Sequence, residues 1–323
     1  MDSRHRYALR ALVLVSLYAL LVAIDRRWGR KAAFAAFGLA IGVAIAARVS
    51  GCGGSTAVAT FNVRDFGPET DMKRLAALVR EVDPDVLAIQ EVQDPKKPAA
   101  LARALTTGDR RYAATVSRCG GKLKLALLHD TTRVRLTGTE EIPELDPDRG
   151  RCDDGDRPAL VARFERDGRP FRLVVVHLAA GGERERVERR KEQWKKIHAL
   201  VARLRAASSD PVVVLGDVNS TGYLDDAHGE RTFLRESTKA AGLSLETDGL
   251  ACTEYFKTGD RELSPSVLDH VVSTPGAVRF ATPKVHGYCA ALACRRHQGA
   301  PPSDYTEVSD HCPVSFRVKT GLF

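Results

Sequence analysis

Val86-Leu87-Ala88-Ile89-Gln90-Glu91-Val92 is a short apolar run that ends on a carboxylate. Four apolar residues in a row, just after the helix-ending pair Asp83-Pro84, read as a buried β-strand. A charged group at the end of such a strand must be paired or must bind a metal, because leaving it desolvated and alone is too costly. Glu91 is therefore the first candidate for a functional residue.

The same arrangement recurs along the chain. Residues 57–63 read as a strand carrying Asn62, and residues 171–177 as one ending in His177. Residues 211–215 lead into Gly216-Asp217-Val218-Asn219, and residues 267–272 carry Asp269 and His270. Ser309-Asp310-His311 precedes a last strand at 314–318, and further strands are expected at 123–128 and 160–164. A strand holds its terminal side chain rigidly and can aim it into a shared cleft. Each position also has a plain structural explanation: Asp-Val-Asn is good turn chemistry, His177 suits a satisfied core histidine, and Ser-Asp-His suits an ordinary loop.

Helices are expected between the strands. Met72, Leu75, Leu78, Val79 and Val82 have helical spacing, with Thr70 or Asp71 as cap. A short helix is expected at 101–105. Residues 181–205 form a long charged helix with the apolar stripe Val187, Trp194, Ile197, Val201 and Leu204. Its nine Lys/Arg and four Glu read as a solvated face laced by i,i+4 pairs rather than as a nucleic-acid contact. Residues 110–121 and 140–157 read as loops. There is no internal repeat. Many strands with a few helices between them predict packed sheets with helices outside.

The chain has 323 residues, enough for a large core without staples. With 44% hydrophobic and 28% charged residues it is neither disordered nor fibrous, and long apolar stretches occur only near the start. The net charge of +8 is unevenly placed: residues 1–50 hold 8 Lys/Arg against 2 Asp/Glu, which leaves 41 against 39 for the rest. The near-neutral body excludes nothing by charge alone, and the basic surplus flanks two apolar runs at 11–24 and 32–47. These runs predict either a transmembrane hairpin within residues 8–47 or an anchor followed by a signal-type segment. Val49-Ser50-Gly51-Cys52 resembles a bacterial lipobox with a lipidated cysteine, although Arg48 fits that pattern badly. Either reading puts the body on a membrane or outside the cytoplasm. The expected organisation is an anchor at 1–50, a linker at 51–55 and a catalytic domain at 56–323. Six cysteines follow Cys52, an even number that suits an oxidising compartment, and no C-x-x-C pair supports a zinc or thioredoxin site. Cys289 and Cys294 are close enough in sequence to be the first expected pair.

The set as a whole resembles the endonuclease/exonuclease/phosphatase superfamily, the deoxyribonuclease-I-like fold. The segments that carry the resemblance are Thr-Phe-Asn-Val-Arg at 60–64, Ile-Gln-Glu-Val at 89–92 and Val-Val-His-Leu at 175–178. Gly-Asp-Val-Asn at 216–219, Leu-Asp-His-Val at 268–271 and Ser-Asp-His-Cys-Pro-Val at 309–314 complete it, with Arg190-x-x-Gln193 in the helix after the histidine strand. Their order along residues 56–318 makes the set far more specific than any single motif.

The resemblance implies an α/β (α+β) four-layer sandwich of two packed mixed β-sheets flanked by helices, here preceded by hydrophobic N-terminal helices. It implies a phosphoester hydrolase that uses Mg²⁺, with Mn²⁺ or Ca²⁺ as alternatives, held by Glu91 with Asn62 and Asp310 at or beside its shell. His311 is then the acid/base, oriented by Asp269. Asp217 positions or deprotonates the attacking water, Asn219 donates to a phosphate oxygen, and His177 binds phosphate or assists the leaving group. Arg64 is a candidate substrate contact. The expected substrate is DNA or RNA, with a phospholipid headgroup or inositol phosphate as the alternative and a non-catalytic binding module as the reading from another class. No protein partner is inferred and a monomer is expected. Two features depart from the family pattern. Cys312 follows the Ser-Asp-His motif directly and offers a disulfide that ties the loop down. Residues 288–305 form a Cys-, Arg- and Pro-bearing insertion in which Arg295, Arg296 and His297 are candidates to face an anion.

Overall fold

β1 (Ser55–Phe66) lies at the centre of the first sheet, parallel to β2 (Val86–Val92) and antiparallel to β15 (Val314–Lys319) in the computed structural model. β4 (Lys124–Asp130) and β3 (Tyr112–Val116) extend this sheet on one side and β13 (Lys284–Val285) on the other, in the order β13-β15-β1-β2-β4-β3. The second sheet runs β5 (Arg135–Ile142), β6 (Ala159–Arg166), β7 (Arg169–His177), β8 (Val212–Asp217), β12 (Asp269–Ser273) and β9 (Ser244–Leu245). Only its β7–β8 pairing is parallel. A small third sheet joins β10 (Glu254–Gly259), β11 (Glu262–Ser266) and β14 (His297–Gln298). The structure describes residues 54–145, 152, 158–278 and 283–320, all within the compact unit Gly54–Gly321. The two apolar N-terminal runs, Cys52 and most of the segment 146–157 lie outside the described residues.

Strand alternation explains the layers. Leu160, Ala162 and Phe164 of β6, with Leu173 and Val175 of β7, point inward and meet Val58, Ala88, Leu125, Leu127 and Phe316 of the first sheet. The alternate residues Val161, Val174 and Val176 point outward and pack against the helices. Because successive side chains leave opposite faces, apolar residues at every position make a strand buried on both sides. The result is the expected four-layer α/β sandwich.

The outer layers are helical. α1 (Met72–Val82) and α2 (Lys97–Leu105) cover the first sheet through Leu75, Val79, Leu101 and Leu105. Of the two candidate caps for α1, Asp71 is the one used: its carboxylate accepts from the N–H groups of Lys73 and Arg74 at 2.9 and 3.0 Å. α3 (Arg184–Ala207) and α4 (Glu230–Ala240) cover the second sheet. The polar α3 is held by its buried stripe, Trp194, Ile197, Leu200, Val201 and Leu204. Each such side chain contributes about 1.5–3 kcal/mol. The exposed pairs Lys191–Glu188 and Lys195–Glu192 add only a few tenths each, and they sit at i,i+3 rather than the expected i,i+4. The short helices α5 (Gly287–Ala291) and α6 (Ser303–Glu307) complete the described elements.

Three expectations change. The loop read at 110–121 contains β3, an edge strand whose residues are all half-buried, so its sequence shows no inward–outward alternation. The loop read at 140–157 begins with the end of β5, another edge strand, followed by a 3-10 turn at Pro143–Leu145. Cys289 does not pair with Cys294: the disulfides are Cys119–Cys152, Cys252–Cys294 and Cys289–Cys312. After α5 the chain turns through left-handed Ala293 and Cys294, which carries Cys294 to Cys252 and leaves Cys289 facing Cys312. The tie expected at Cys312 is therefore present.

Candidate active site

Strand register assembles the site. β7 and β8 pair in parallel with His177 opposite Asp217, and β8 and β12 pair antiparallel with Asp217 opposite Asp269. Three strands thus present His177, Asp217 and Asp269 in one row across the sheet. Gly216, next in sequence to Asp217, has φ 141°, and a Cβ there would meet the Val176 carbonyl oxygen at 2.0 Å. Only glycine allows β8 to lie this close to β7 just before its polar end. Across the sandwich, β1 delivers Asn62 opposite Gln90 of β2, so Glu91 follows one step further on. Glu91 and Asn219 both have positive φ, 62° and 56°. Asparagine tolerates this conformation. A glutamate held there marks backbone strain of the kind found at functional positions.

Asn62 is the hub. Its amide nitrogen donates to Glu91 Oε1 at 3.0 Å and to Asp217 Oδ2 at 2.8 Å, and lies 3.5 Å from His311 Nε2. His177 Nε2 lies 3.6 Å from Glu91 Oε1 and 3.4 Å from Asp217 Oδ2. His311 Nδ1 meets Asp269 Oδ2 at 2.8 Å, and its Nε2 stands 3.8 Å from Asp217 Oδ2. Asn219 is fixed by two bonds: its N–H donates to Asp217 Oδ1 at 2.8 Å, and its side chain donates to the Leu178 carbonyl at 3.1 Å. Asp310 and Arg64 lie at the rim as an ion pair at 3.5 Å, with the Arg64 guanidinium also over the Tyr305 ring.

The structure therefore brings Asn62, His177, Asp217, Asn219, Asp269 and His311 into one buried cluster, with the half-buried Glu91 at its edge. Asp310 and Arg64 are half-buried beside it. Electrostatics follow from burial. Burial raises the Asp217 carboxyl well above the ordinary carboxylate range, against the pull of His311 and with the help of the Asp269 and Glu91 charges. For His311 burial acts downward, but the Asp269 and Asp217 carboxylates override it and hold the imidazole well above its usual value. The cluster thus carries more negative charge than a buried site tolerates by itself.

A cation between these groups relieves that excess. Glu91, His177 and Asp217 each place a ligand atom within 4.8 Å of the other two. The buried Oδ1 of Asn62 has no hydrogen-bond partner. An oxygen-rich set of this kind suits a hard divalent ion that keeps several waters. The residues present thus fit a divalent metal. The group of Cys119, Glu141 and Cys152 does not, because its two sulfurs are joined as a disulfide.

Residues to which the sequence patterns assign no role in the chemistry hold the site in shape. Ser309 Oγ donates to the Asn62 carbonyl at 2.7 Å and accepts from the N–H groups of Arg64 and His311. It thereby stitches β1 to the histidine loop. The hydroxyl of Thr253 accepts from the N–H groups of Leu268 and Asp269, both at 3.0 Å, while its carbonyl accepts from Cys312. Glu254, opposite His311 in a β-bridge, is buried and its carboxyl is pushed up to about 8 by burial. Apolar and polar residues do not alternate over 252–257, so the sequence pattern does not mark this strand. The Arg190-x-x-Gln193 pattern acts from behind. Arg190 is fully buried, bonds both carboxylate oxygens of Glu230, and donates to the carbonyls of Ala179 and Gly181 and to Thr221. Gln193 accepts from the Ala179 N–H at 3.0 Å. The pair pins the loops that follow His177 and Asn219, so the expectation of a wholly solvated charged face does not hold for Arg190.

Comparison with known proteins agrees with this architecture. The model of the Endonuclease/Exonuclease/phosphatase family matches residues 59–311. Similar solved structures include truncated TDP2 of Caenorhabditis elegans, 17% identical with a TM-score of 0.57 over 82% of this chain and 98% of that one. A family protein from Bacteroides vulgatus is 18% identical, with a TM-score of 0.58 over 83% and 99%. D. rerio TDP2 complexed with a single strand DNA product is 18% identical, with a TM-score of 0.58 over 82% and 99%. At such identities the likeness is one of fold. No curated protein matches the chain in sequence.

Proposed function

Because this chain belongs to the Endonuclease/Exonuclease/phosphatase family, its cleft is that of a phosphoester hydrolase, and we propose that it cleaves phosphodiester bonds of DNA or RNA with the help of a divalent metal ion, Mg²⁺ by preference. The observation that carries this reading is the sharing of Asp217 Oδ2 between the Glu91–His177 group and the His311 side. A phosphoryl group lying against that oxygen has charge-binding groups on one side and a proton-carrying imidazole on the other. Hydrolysis of a phosphodiester by water yields a phosphomonoester and an alcohol. It needs an oriented nucleophile, neutralised phosphoryl oxygens and a proton for the leaving oxygen.

Each need has a candidate residue. Glu91 and Asn62 would hold the metal ion, which supplies positive charge at the phosphoryl oxygens. Asp310, with Arg64, stands at the rim where a phosphate enters. Asp217, whose Oδ2 faces both the Glu91–His177 group and His311, orients the attacking water and takes its proton. His311, held by Asp269, gives a proton to the leaving oxygen. His177 and the remaining N–H of Asn219 donate to the phosphate. A non-catalytic module is disfavoured, since no scaffold needs so many buried charges in one place.

Three disulfides among the described residues support an oxidising compartment. We place the protein on a membrane or outside the cytoplasm accordingly, anchored through residues 8–47 or a lipidated Cys52. Fractionation that found the full chain soluble in the cytoplasm would overturn this placement. The substrate reading is tested by incubating the purified protein with Mg²⁺ on plasmid DNA, RNA and phospholipid vesicles. Cleavage of either nucleic acid, lost in H311A, supports it. Release of headgroup phosphate from vesicles alone moves the substrate to lipid.

A further inference from the structure

β10 leaves the active site at Glu254, which faces His311 directly across an antiparallel bridge, with the Tyr255 N–H donating to the Asp310 carbonyl at 3.0 Å. Residues opposed in this way project their side chains from the same face. Strand alternation sets the direction of the next two side chains. Tyr255 turns to the other face and packs among Leu263, Tyr288 and the disulfide cysteines. Phe256 returns to the face of Glu254 and His311, about 7 Å further along the strand. It is 47% exposed, one of two large exposed apolar side chains among the described residues. Its register partner on β11 is Ser264, too small to cover the ring, and Ser266 opposite Glu254 bonds to that carboxylate.

We propose that Phe256 is a stacking platform for an unpaired nucleobase next to the scissile phosphate. The inference rests on the nucleic-acid reading above and narrows it: the favoured substrate is a single strand or an unpaired end, because a base inside a duplex cannot lie on the ring. Three facts support a base rather than a lipid chain. By strand alternation the ring stands on the face of the proposed proton donor, about 7 Å along the strand from Glu254. The neighbouring groups on that face, Glu254, Ser264 and Ser266, are polar. The hairpin tip, Thr258-Gly259-Asp260-Arg261-Glu262, is polar and of mixed charge, which does not suit insertion into a bilayer.

The test uses the full chain, single-stranded oligo(dT) and an abasic strand of equal length. F256A is expected to raise KM on oligo(dT) roughly tenfold, the loss of one base–aromatic stack, and to raise it far less on the abasic strand, while F256Y and F256W keep the wild-type value. Equal losses on both strands, or none, overturn the proposal. So does weaker binding of F256A to phosphatidylglycerol vesicles with an unchanged KM on oligo(dT). If the wild-type protein cleaves neither strand, the substrate reading fails but the platform is still testable. Titration of F256W with oligo(dT) in EDTA then quenches the added tryptophan fluorescence if the base stacks there, and leaves it unchanged if it does not.

Discussion

His311 Nδ1 lies 2.8 Å from Asp269 Oδ2, and both side chains are buried. Asp269 is itself fixed by its N–H bond to the Thr253 hydroxyl, and His311 by its N–H bond to Ser309. The imidazole therefore has one orientation, with Nε2 turned toward Asp217 and Asn62. Shape and charge are separable here, and the first substitution separates them.

D269N keeps the shape and removes the charge. Burial pulls the His311 pKa down and Asp269 is the first of the groups that hold it up. Without that charge the protonated imidazole is lost at lower pH. If His311 gives up a proton in the reaction, the alkaline fall in kcat/KM moves to lower pH in D269N. The rate at the optimum drops by roughly 10²–10⁴, the usual worth of a positioned acid. A pH profile of unchanged shape would remove His311 from that role.

E91Q addresses the metal. Glu91 Oε1 and Oε2 accept from Asn62 and from the Asp65 N–H; the amide removes the charge at little change of volume but can accept only one of these two bonds. In metal-free buffer its stability falls by about 1 kcal/mol, the worth of the lost bond. Added Mg²⁺ stabilises the wild type by about 2.7 kcal/mol at a hundredfold excess over Kd, several degrees in Tm. E91Q shows little of this shift. An equal shift in both proteins would place the ion elsewhere.

His270 gives the stability of the fold a pH dependence apart from the proposed chemistry. The Ser220 hydroxyl donates to the Val267 carbonyl at 2.7 Å, so toward His270 Nε2, 2.8 Å away, it accepts. Nε2 therefore carries the proton, and Nδ1 accepts from Thr247 at 3.0 Å. The neutral ring is fully satisfied, and burial lowers its pKa to about 4. A base with a lowered folded pKa contributes stability that is complete above its unfolded value, near 6.5, and is lost as pH falls toward the folded value. Between those limits His270 accounts for a loss on the order of 3 kcal/mol. Urea unfolding at pH 7 and pH 5 reads it. H270Q, which cannot ionise, has a smaller difference between the two.

Much of this was legible in the sequence for one physical reason. Strands buried on both faces, such as Val86–Val92 and Val212–Asp217, need apolar residues at every position, so a terminal polar residue stands out. That pattern exposes Glu91, Asp217 and, with the other strands, the whole cluster. Edge strands carry no such signal. β3 is half-buried throughout and β5 is largely exposed, and both escape notice. Thr253 and Glu254, and the bonding role of Ser309 within its motif, escape for another reason. Their importance lies in bonds across the fold, and a hydroxyl that accepts two backbone N–H groups looks like any other in sequence. The disulfide pairing was hidden likewise, since the left-handed turn at Ala293 and Cys294, not sequence distance, decides which sulfurs meet.

The Cys289–Cys312 bridge tests how firmly the histidine loop must be held. Cys312 directly follows His311, and the bridge spans 23 positions to α5. Removing it as C289S/C312S frees a loop whose closure contributes about 3 kcal/mol. The loop is not released altogether: the Tyr288 hydroxyl still donates to the Asp310 carbonyl, and the Cys312 N–H position still bonds the Thr253 carbonyl. The double variant therefore stays folded at 25 °C with a lower Tm and keeps its metal-dependent thermal shift. Its kcat falls by roughly tenfold, as expected when a proton-transfer group loses part of its fixed geometry. Adding T253V removes the acceptor that holds the Asp269 N–H, and kcat falls further than the product of the separate losses, because both changes act on one dyad. Strictly multiplicative losses would mean that the bridge and Thr253 act on the site independently rather than through one dyad.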